Sequence, residues 1–146
     1  MGFCCGNILF FGLVGVLTSK AQAPVCPSGT KAIVERHLNI GSETATAYFS
    51  IAPGCQNIKL SMVAYNAGGP GGALPLTLAG TTTTTLSFNA GGEFILTAVI
   101  PECYWQIAFV LGEPIANPTS INPYGSNRIL YRNGGQACTP LAGELG

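Results

Sequence analysis

Charged residues are scarce in this chain. Only 8% of its 146 residues are Asp, Glu, Lys or Arg, and the formal net charge is zero. Binding to nucleic acid needs clustered Lys and Arg against the phosphates, so this composition argues against it. The low charge is combined with 47% hydrophobic residues, which argues against intrinsic disorder. We therefore expect a single folded domain, as the chain length also suggests.

Residues that commonly carry catalysis are scarce as well. His37 is the only histidine, and the six acidic residues are all glutamates, spread over predicted turns and strand ends. The chain has no G-x-S-x-G motif, phosphate-binding loop or acidic calcium loop. After residue 21 it also lacks the C-x-x-C pair that would suggest zinc. We therefore predict a protein that is not an enzyme and that holds no metal and no cofactor.

The N-terminal residues read as an export signal. The run "GNILFFGLVGVL" at residues 6–17 is apolar but too short to span a bilayer comfortably, and small residues follow it. Cleavage after Ala21 would leave Gln22 first, whereas cleavage after Ala23 would leave a proline first, which is disfavoured. We predict a signal peptide at residues 1–21, with cleavage between 21 and 23, and a mature domain at residues 22–146. An uncleaved N-terminal anchor is the alternative.

Four cysteines remain after residue 21. An even number in an exported chain predicts two disulfides, for which three connectivities exist. These cysteines are Cys26, Cys55, Cys103 and Cys138.

Alternation of apolar and polar residues dominates the remaining sequence. This period of two is typical of half-buried strands, and Gly, Pro and Asn turns separate the segments. We therefore predict an all-β fold, a single antiparallel β-sandwich of immunoglobulin-like or jelly-roll type with about seven strands. The predicted strands are residues 31–40, 45–51, 58–65, 81–88, 94–100, 104–110 and 127–132.

One arrangement occurs twice. "IAPGCQNIKL" (residues 51–60) and "IPECYWQIAF" (100–109) each give an apolar run, a proline, one residue, a cysteine and a second apolar run. Proline ends the ladder of the first strand, so each copy predicts a corner between two strands. We predict a Cys55–Cys103 bridge between these equivalent positions and a Cys26–Cys138 bridge between the ends. Trp105 beside the second corner is predicted to be a core residue, with sugar stacking as the alternative.

A resemblance covers residues 44–132. The segments "FSIAPGCQNIKLSMVAYNA", "FNAGGEFILTAVIPECYWQIAFVLGEPI" and "PYGSNRILY" resemble a module of secreted bacterial cell-surface proteins. That module has a Cys-Tyr-aromatic-Gln-x-x-Phe-Val strand followed by a Gly-Ser-Asn loop. Ala108 stands here where the module usually has an acidic residue. The resemblance implies an extracellular β-sandwich found in adhesive or structural contexts, with no known enzyme activity.

Two stretches are candidates for binding. Thr81, Thr83 and Thr85 would share one face of a strand, although an ordinary edge strand of β-favouring residues is the preferred explanation. The second stretch is rich in aromatic, amide and arginine side chains, which suit carbohydrate or peptide contacts and also suit ordinary turns. Its candidate ligand-binding residues are Tyr124, Asn127, Arg128 and Tyr131.

The sequence therefore predicts a secreted or cell-surface structural or adhesive module. We expect it to associate with itself or with another surface protein through a strand edge, "TTTTTLSF" being the acceptor and residues 22–40 the donor. A glycan is the other candidate partner, which would make the protein an extracellular carbohydrate-binding module. A secreted hydrolase is a third class, with His37 and Glu35 as its candidate base. No nucleic acid is expected, and no membrane once the signal is cleaved.

Overall fold

A computed structural model describes residues 22–138, which contain seven β-strands. The predicted signal peptide and residues 139–146 of the predicted domain lie outside these residues. A short 3-10 helix, Gly29–Ala32, precedes the first strand, and a second, Gly125–Asn127, precedes the last. The strands are β1 (Ile33–Ile40), β2 (Thr44–Ile51), β3 (Ile58–Asn66), β4 (Thr77–Leu86), β5 (Phe94–Val99), β6 (Trp105–Leu111) and β7 (Arg128–Gly134).

The strands form two antiparallel sheets. One sheet has the order β1-β2-β5 and the other the order β4-β3-β6-β7. The sheets face each other, with β1 against β7 on one side and β5 against β3 and β4 on the other. This arrangement confirms the predicted all-β sandwich of immunoglobulin-like type.

Inward-facing side chains of both sheets form the main core. The ring centroid of Phe49 lies 4.8 Å from that of Phe109 and 5.8 Å from that of Phe94. Trp105 is buried in the same cluster, as predicted for a core residue. Gly134 lies directly on the Trp105 ring, where a Cβ atom would overlap the indole carbons. A glycine is therefore required there by the close approach of β7 to the tryptophan.

Both proline corners cross from one sheet to the other. The chain leaves β2 and enters β3 through Pro53 and Cys55, and it leaves β5 and enters β6 through Pro101 and Cys103. Because β2 and β5 are antiparallel neighbours, with Thr44 opposite Val99, their final residues lie at opposite ends of the sandwich. The two corners are therefore equivalent in sequence but far apart in space.

This separation corrects the predicted disulfides. Cys26 is bonded to Cys55, and Cys103 is bonded to Cys138, with Cα–Cα distances of 4.6 and 4.8 Å. The predicted Cys55–Cys103 and Cys26–Cys138 pairs are wrong, because they assumed that both corners lie at the same end. Instead, each corner is joined to the neighbouring end of the chain, since β1 starts beside the end of β2 and β7 ends beside the start of β6.

Burial of the two central strands of the larger sheet also departs from prediction. In β2 and β5 buried residues alternate with more exposed ones, as expected of half-buried strands. In β3 and β6 six consecutive residues are buried, so both faces are covered. A second apolar cluster on the outer face accounts for this burial. It contains Val63, Tyr65, Leu76, Ala108, Val110 and Tyr124.

Candidate functional site

The free edge of β4 is the longest open strand edge. β4 is an outermost strand of ten residues without charge or proline, and most of its residues are exposed. Open edges are normally protected by lysine, proline, bulges or a covering loop. The pairing of β3 with β4 has one irregularity, at Ala64/Tyr65, but it is regular from Thr81 to Leu86. The threonine run is therefore a straight, unprotected edge.

The register shows which backbone groups point outward from this edge. Lys59 accepts a hydrogen bond of 2.9 Å from the Gly112 N–H, so its backbone groups point toward β6. Backbone N–H and C=O groups point to opposite sides in successive residues of a strand, so those of Ser61, two residues after Lys59, also point toward β6. Its cross-strand partner Thr83 therefore directs its N–H and C=O away from β3, into solvent. The same holds for Thr81 and Thr85.

The threonine side chains lie where the sequence predicts. Thr83 is opposite Ser61, and their hydroxyl oxygens are 2.8 Å apart. Ser61 also donates to the Gly112 carbonyl at 2.7 Å. Thr81, Thr83 and Thr85 thus share the outer face of the four-stranded sheet, beside a segment that covers its centre.

That covering segment is the long connection between β6 and β7, residues 112–127. Its anchor is Tyr124, whose hydroxyl lies 2.5 Å from that of Tyr65. The Tyr65 hydroxyl donates to the Ile115 carbonyl at 2.6 Å, and the Ile115 N–H donates to the Tyr124 hydroxyl at 2.8 Å. Tyr124 must then donate to Tyr65, which closes a ring of three hydrogen bonds. Burial raises the pKa of Tyr65 far above its ordinary value.

The four candidate ligand residues fall into two groups. Tyr124 is only 8% exposed and its hydroxyl is already used, which argues against contact with a ligand. Asn127 is exposed at the end of a 3-10 helix. Arg128 lies over the ring of Tyr131, with its guanidinium carbon 3.5 Å from the ring centroid, and Tyr131 is 46% exposed. The structure therefore keeps three of the four near one another at the β7 edge.

A cleft that the sequence did not predict lies at one end of the three-stranded sheet. Its volume is about 390 Å³, and Glu35 and Glu93 both line it. The Ser50 hydroxyl lies 3.4 Å from the Glu35 carboxylate and 3.2 Å from the Gly92 carbonyl. Phe88 forms part of the wall and is 40% exposed. Only the register of β1, β2 and β5 brings these residues together, so no local sequence signal could have revealed the cleft.

His37 is not arranged as a base beside Glu35. A bulge interrupts β1 between Val34 and His37, and Glu35 has a left-handed φ of 51°. The imidazole instead stacks on Tyr48, with ring centroids 6.0 Å apart. Within residues 22–138, no three His, Cys, Asp or Glu side chains are grouped so as to hold a metal ion.

These features define the class of protein as a disulfide-bonded, immunoglobulin-like β-sandwich with open strand edges. No protein-family model, curated protein or solved structure matches the chain. In the part of the chain described here, no helix is long and apolar enough to cross a membrane.

Proposed function

We propose that this protein is a secreted, non-enzymatic structural or adhesive module that associates with itself or with another surface protein through a strand edge. The observation that carries the proposal is the β4 edge, where uncharged threonines direct unpaired backbone groups into solvent. Such an edge can accept a strand from another chain.

The two disulfides support the assignment to an oxidising compartment. Disulfides persist in secreted and surface proteins and are rare in the cytosol. They also restrain both ends of the domain, which suits a module outside the cell. The resemblance of residues 44–132 to cell-surface modules points in the same direction and stays a prediction.

The N-terminal segment is a poor donor for this edge. Its residues from Ile33 to Ile40 already form β1, paired with β2, and the Cys26–Cys55 bond fixes the residues before them. We therefore expect the donor to be an edge strand of a folded neighbour rather than a free N-terminal arm.

Replacing one edge threonine with proline tests the proposal. In Thr83→Pro the lost N–H faces solvent, so the monomer keeps its ladder while the edge can no longer accept a strand. Wild-type protein should form species above monomer mass in size-exclusion chromatography with light scattering, and Thr83→Pro should reduce them. Thr83→Ala is the matched control, because it also loses the hydroxyl contact with Ser61 but keeps the edge N–H. Wild-type protein that stays monomeric at high concentration would refute self-association, and binding to another surface chain would then be the remaining form.

The alternative function is an extracellular carbohydrate-binding module, and the cleft between Glu35 and Glu93 favours it. The exposed Phe88 ring offers a surface for stacking, and Ser50 and Asn89 place polar groups around it. A few convergent polar groups in a concave site are typical of ligand pockets. Binding on a glycan array that is lost in Phe88→Ala would support this function. Binding that survives Phe88→Ala would assign the glycan to another surface.

A further inference from the structure

Unpaired basic residues gather on one side of the sandwich. β1 and β7 lie against each other there, and the 3-10 helix Gly29–Ala32 lies against Gly125–Asn127. Lys31, Arg36 and Arg132 are exposed, and Arg128 is half-buried, with its guanidinium over the Tyr131 ring. We call this surface the basic side, defined by Lys31, Arg36, Arg128 and Arg132.

Carboxylates gather on the opposite side. Glu93 immediately precedes β5, and Glu102 follows it in the second corner. Glu43 lies next to that corner, because its carbonyl accepts the Ile100 N–H at 2.9 Å. All three are exposed, and the neighbouring β4 edge carries no charge. We call this surface the acidic side, defined by Glu43, Glu93, Glu102 and the β4 edge.

The other charged residues between positions 22 and 138 do not alter this division of charge. Lys59 and Glu113 form an ion pair with each other on the four-stranded sheet. Glu35 lies on β1, but its carboxylate turns along the outer face toward Ser50 and shares the cleft with Glu93.

We propose that copies of this chain join side to side, with the acidic side of one copy against the basic side of the next. The proposal rests on the proposed self-association and specifies its geometry. The β4 edge of one copy would pair with the β7 edge of its neighbour, so the four-stranded sheets become continuous. β7 can take part because its outer edge also has free backbone groups. The β6 residues whose backbone groups point toward β7 are Trp105, Ile107 and Phe109, and they lie opposite Gly134, Arg132 and Leu130. The alternate residues of β7, Tyr131 and Asn133, therefore direct their backbone groups outward.

Charge favours this arrangement over pairing of two β4 edges about a two-fold axis. A two-fold contact would bring Glu43, Glu93 and Glu102 of both copies toward one another, and like charges across an interface oppose association. The side-to-side contact brings carboxylates to arginines and lysines instead. It uses two different surfaces of each copy, so it continues into an open chain of molecules unless the rotation closes a ring.

Charge reversal on each side tests the geometry. Glu93→Lys/Glu102→Lys makes both sides net positive, and Lys31→Glu/Arg36→Glu/Arg132→Glu makes both sides net negative. Each variant alone should lose association by at least about tenfold in light scattering, and an equimolar mixture should regain it. Glu113→Lys, compared with Glu102→Lys alone, is the matched control, because it changes the net charge equally but lies off the acidic side, where Glu113 pairs with Lys59. It should associate like wild type and should not substitute for the first variant in the mixture. Circular dichroism would verify that all variants are folded.

Three outcomes would overturn the proposal. Reversed variants that associate like wild type would refute the role of charge while leaving self-association intact. Glu93→Gln/Glu102→Gln protein that associates more strongly than wild type would indicate the two-fold contact. Wild-type protein that remains monomeric would refute both this geometry and the self-association on which it rests.

Discussion

The two outer faces of the sandwich differ in what covers them. On the four-stranded sheet, residues 112–127 fold over the centre and bury Tyr65 and Val110 completely. On the three-stranded sheet nothing among residues 22–138 does the same, and Ile95 and Val99 are 59% and 75% exposed. The outer face of the four-stranded sheet therefore forms part of a second core, whereas the outer face of the three-stranded sheet stays exposed to solvent.

This difference shows how connections packed on the outer face convert a half-buried sheet into a fully buried one, with residues 112–127 helped by Leu76 of the β3–β4 connection. The buried positions of β3 and β6 are apolar on both faces except for Ser61 and Gln106, whereas β2 and β5 keep their alternation. The connection itself is poor in large apolar side chains and is held largely by the tyrosine ring of hydrogen bonds. Its polar contacts fix its position, and the strands below supply most of the apolar surface.

The largest expected difference in the free energy of unfolding is between two tyrosine-to-alanine substitutions, one on each outer face of the sandwich. Tyr65→Ala should lower the free energy of unfolding by about 3–5 kcal/mol, because it leaves a cavity under the connection. Tyr48→Ala on the uncovered face should cost only about 0.5 kcal/mol, as for other surface changes. Urea denaturation followed by fluorescence would measure both. Similar costs for the two variants would show that the faces do not differ energetically.

A smaller effect is expected from removing one hydroxyl. Tyr124→Phe breaks the ring and leaves the part-buried Ile115 N–H without its partner and the buried Tyr65 hydroxyl without its donor, which should cost about 1–3 kcal/mol. Tyr131→Phe, at the exposed edge, should change stability little. A double-mutant cycle with Tyr65→Phe would show coupling if the three groups act as one unit. Additive losses would contradict the closed ring.

The smallest effect is a loss of stability at alkaline pH. The folded pKa of Tyr65 is raised above its ordinary value of 10.0 by burial. Above about pH 10 the unfolded chain releases this proton while the folded chain keeps it, so stability falls by about 1.4 kcal/mol per pH unit. Below pH 10 the contribution is fully present. Thermal unfolding of wild type and Tyr65→Phe between pH 9 and about pH 11 would measure it, and equal pH slopes would contradict the assignment.

Much of the fold follows from the alternation of residues, while contacts between distant segments do not. All seven predicted strands are present, although β4 begins at Thr77 rather than at Thr81. The disulfides were mispaired because the similarity of the two corners says nothing about their positions. Only the antiparallel pairing of β2 with β5 places Cys55 and Cys103 at opposite ends.

The candidate binding surfaces likewise depend on contacts between distant segments that the sequence does not reveal. The threonine run was recognisable as an edge, because an uncharged β-branched segment next to glycine-rich turns fits an outermost strand. The burial of Tyr124 could not be predicted, since it depends on a partner, Tyr65, that lies 59 positions away. Neither the cleft between Glu35 and Glu93 nor the division of charge between the two sides has a local pattern in the sequence.

The pairing of each corner with the nearer end of the chain has a mechanical consequence. If the domain is pulled by its two ends, tension passes from Cys26 through the disulfide to Cys55, and from Cys103 to Cys138. The residues enclosed by the two bonds, with sequence separations of 29 and 35, carry no load, so β1, β2, β6 and β7 are spared. Between Cys26 and Cys138, force can therefore extend only the residues from Cys55 to Cys103, which contain β3, β4 and β5.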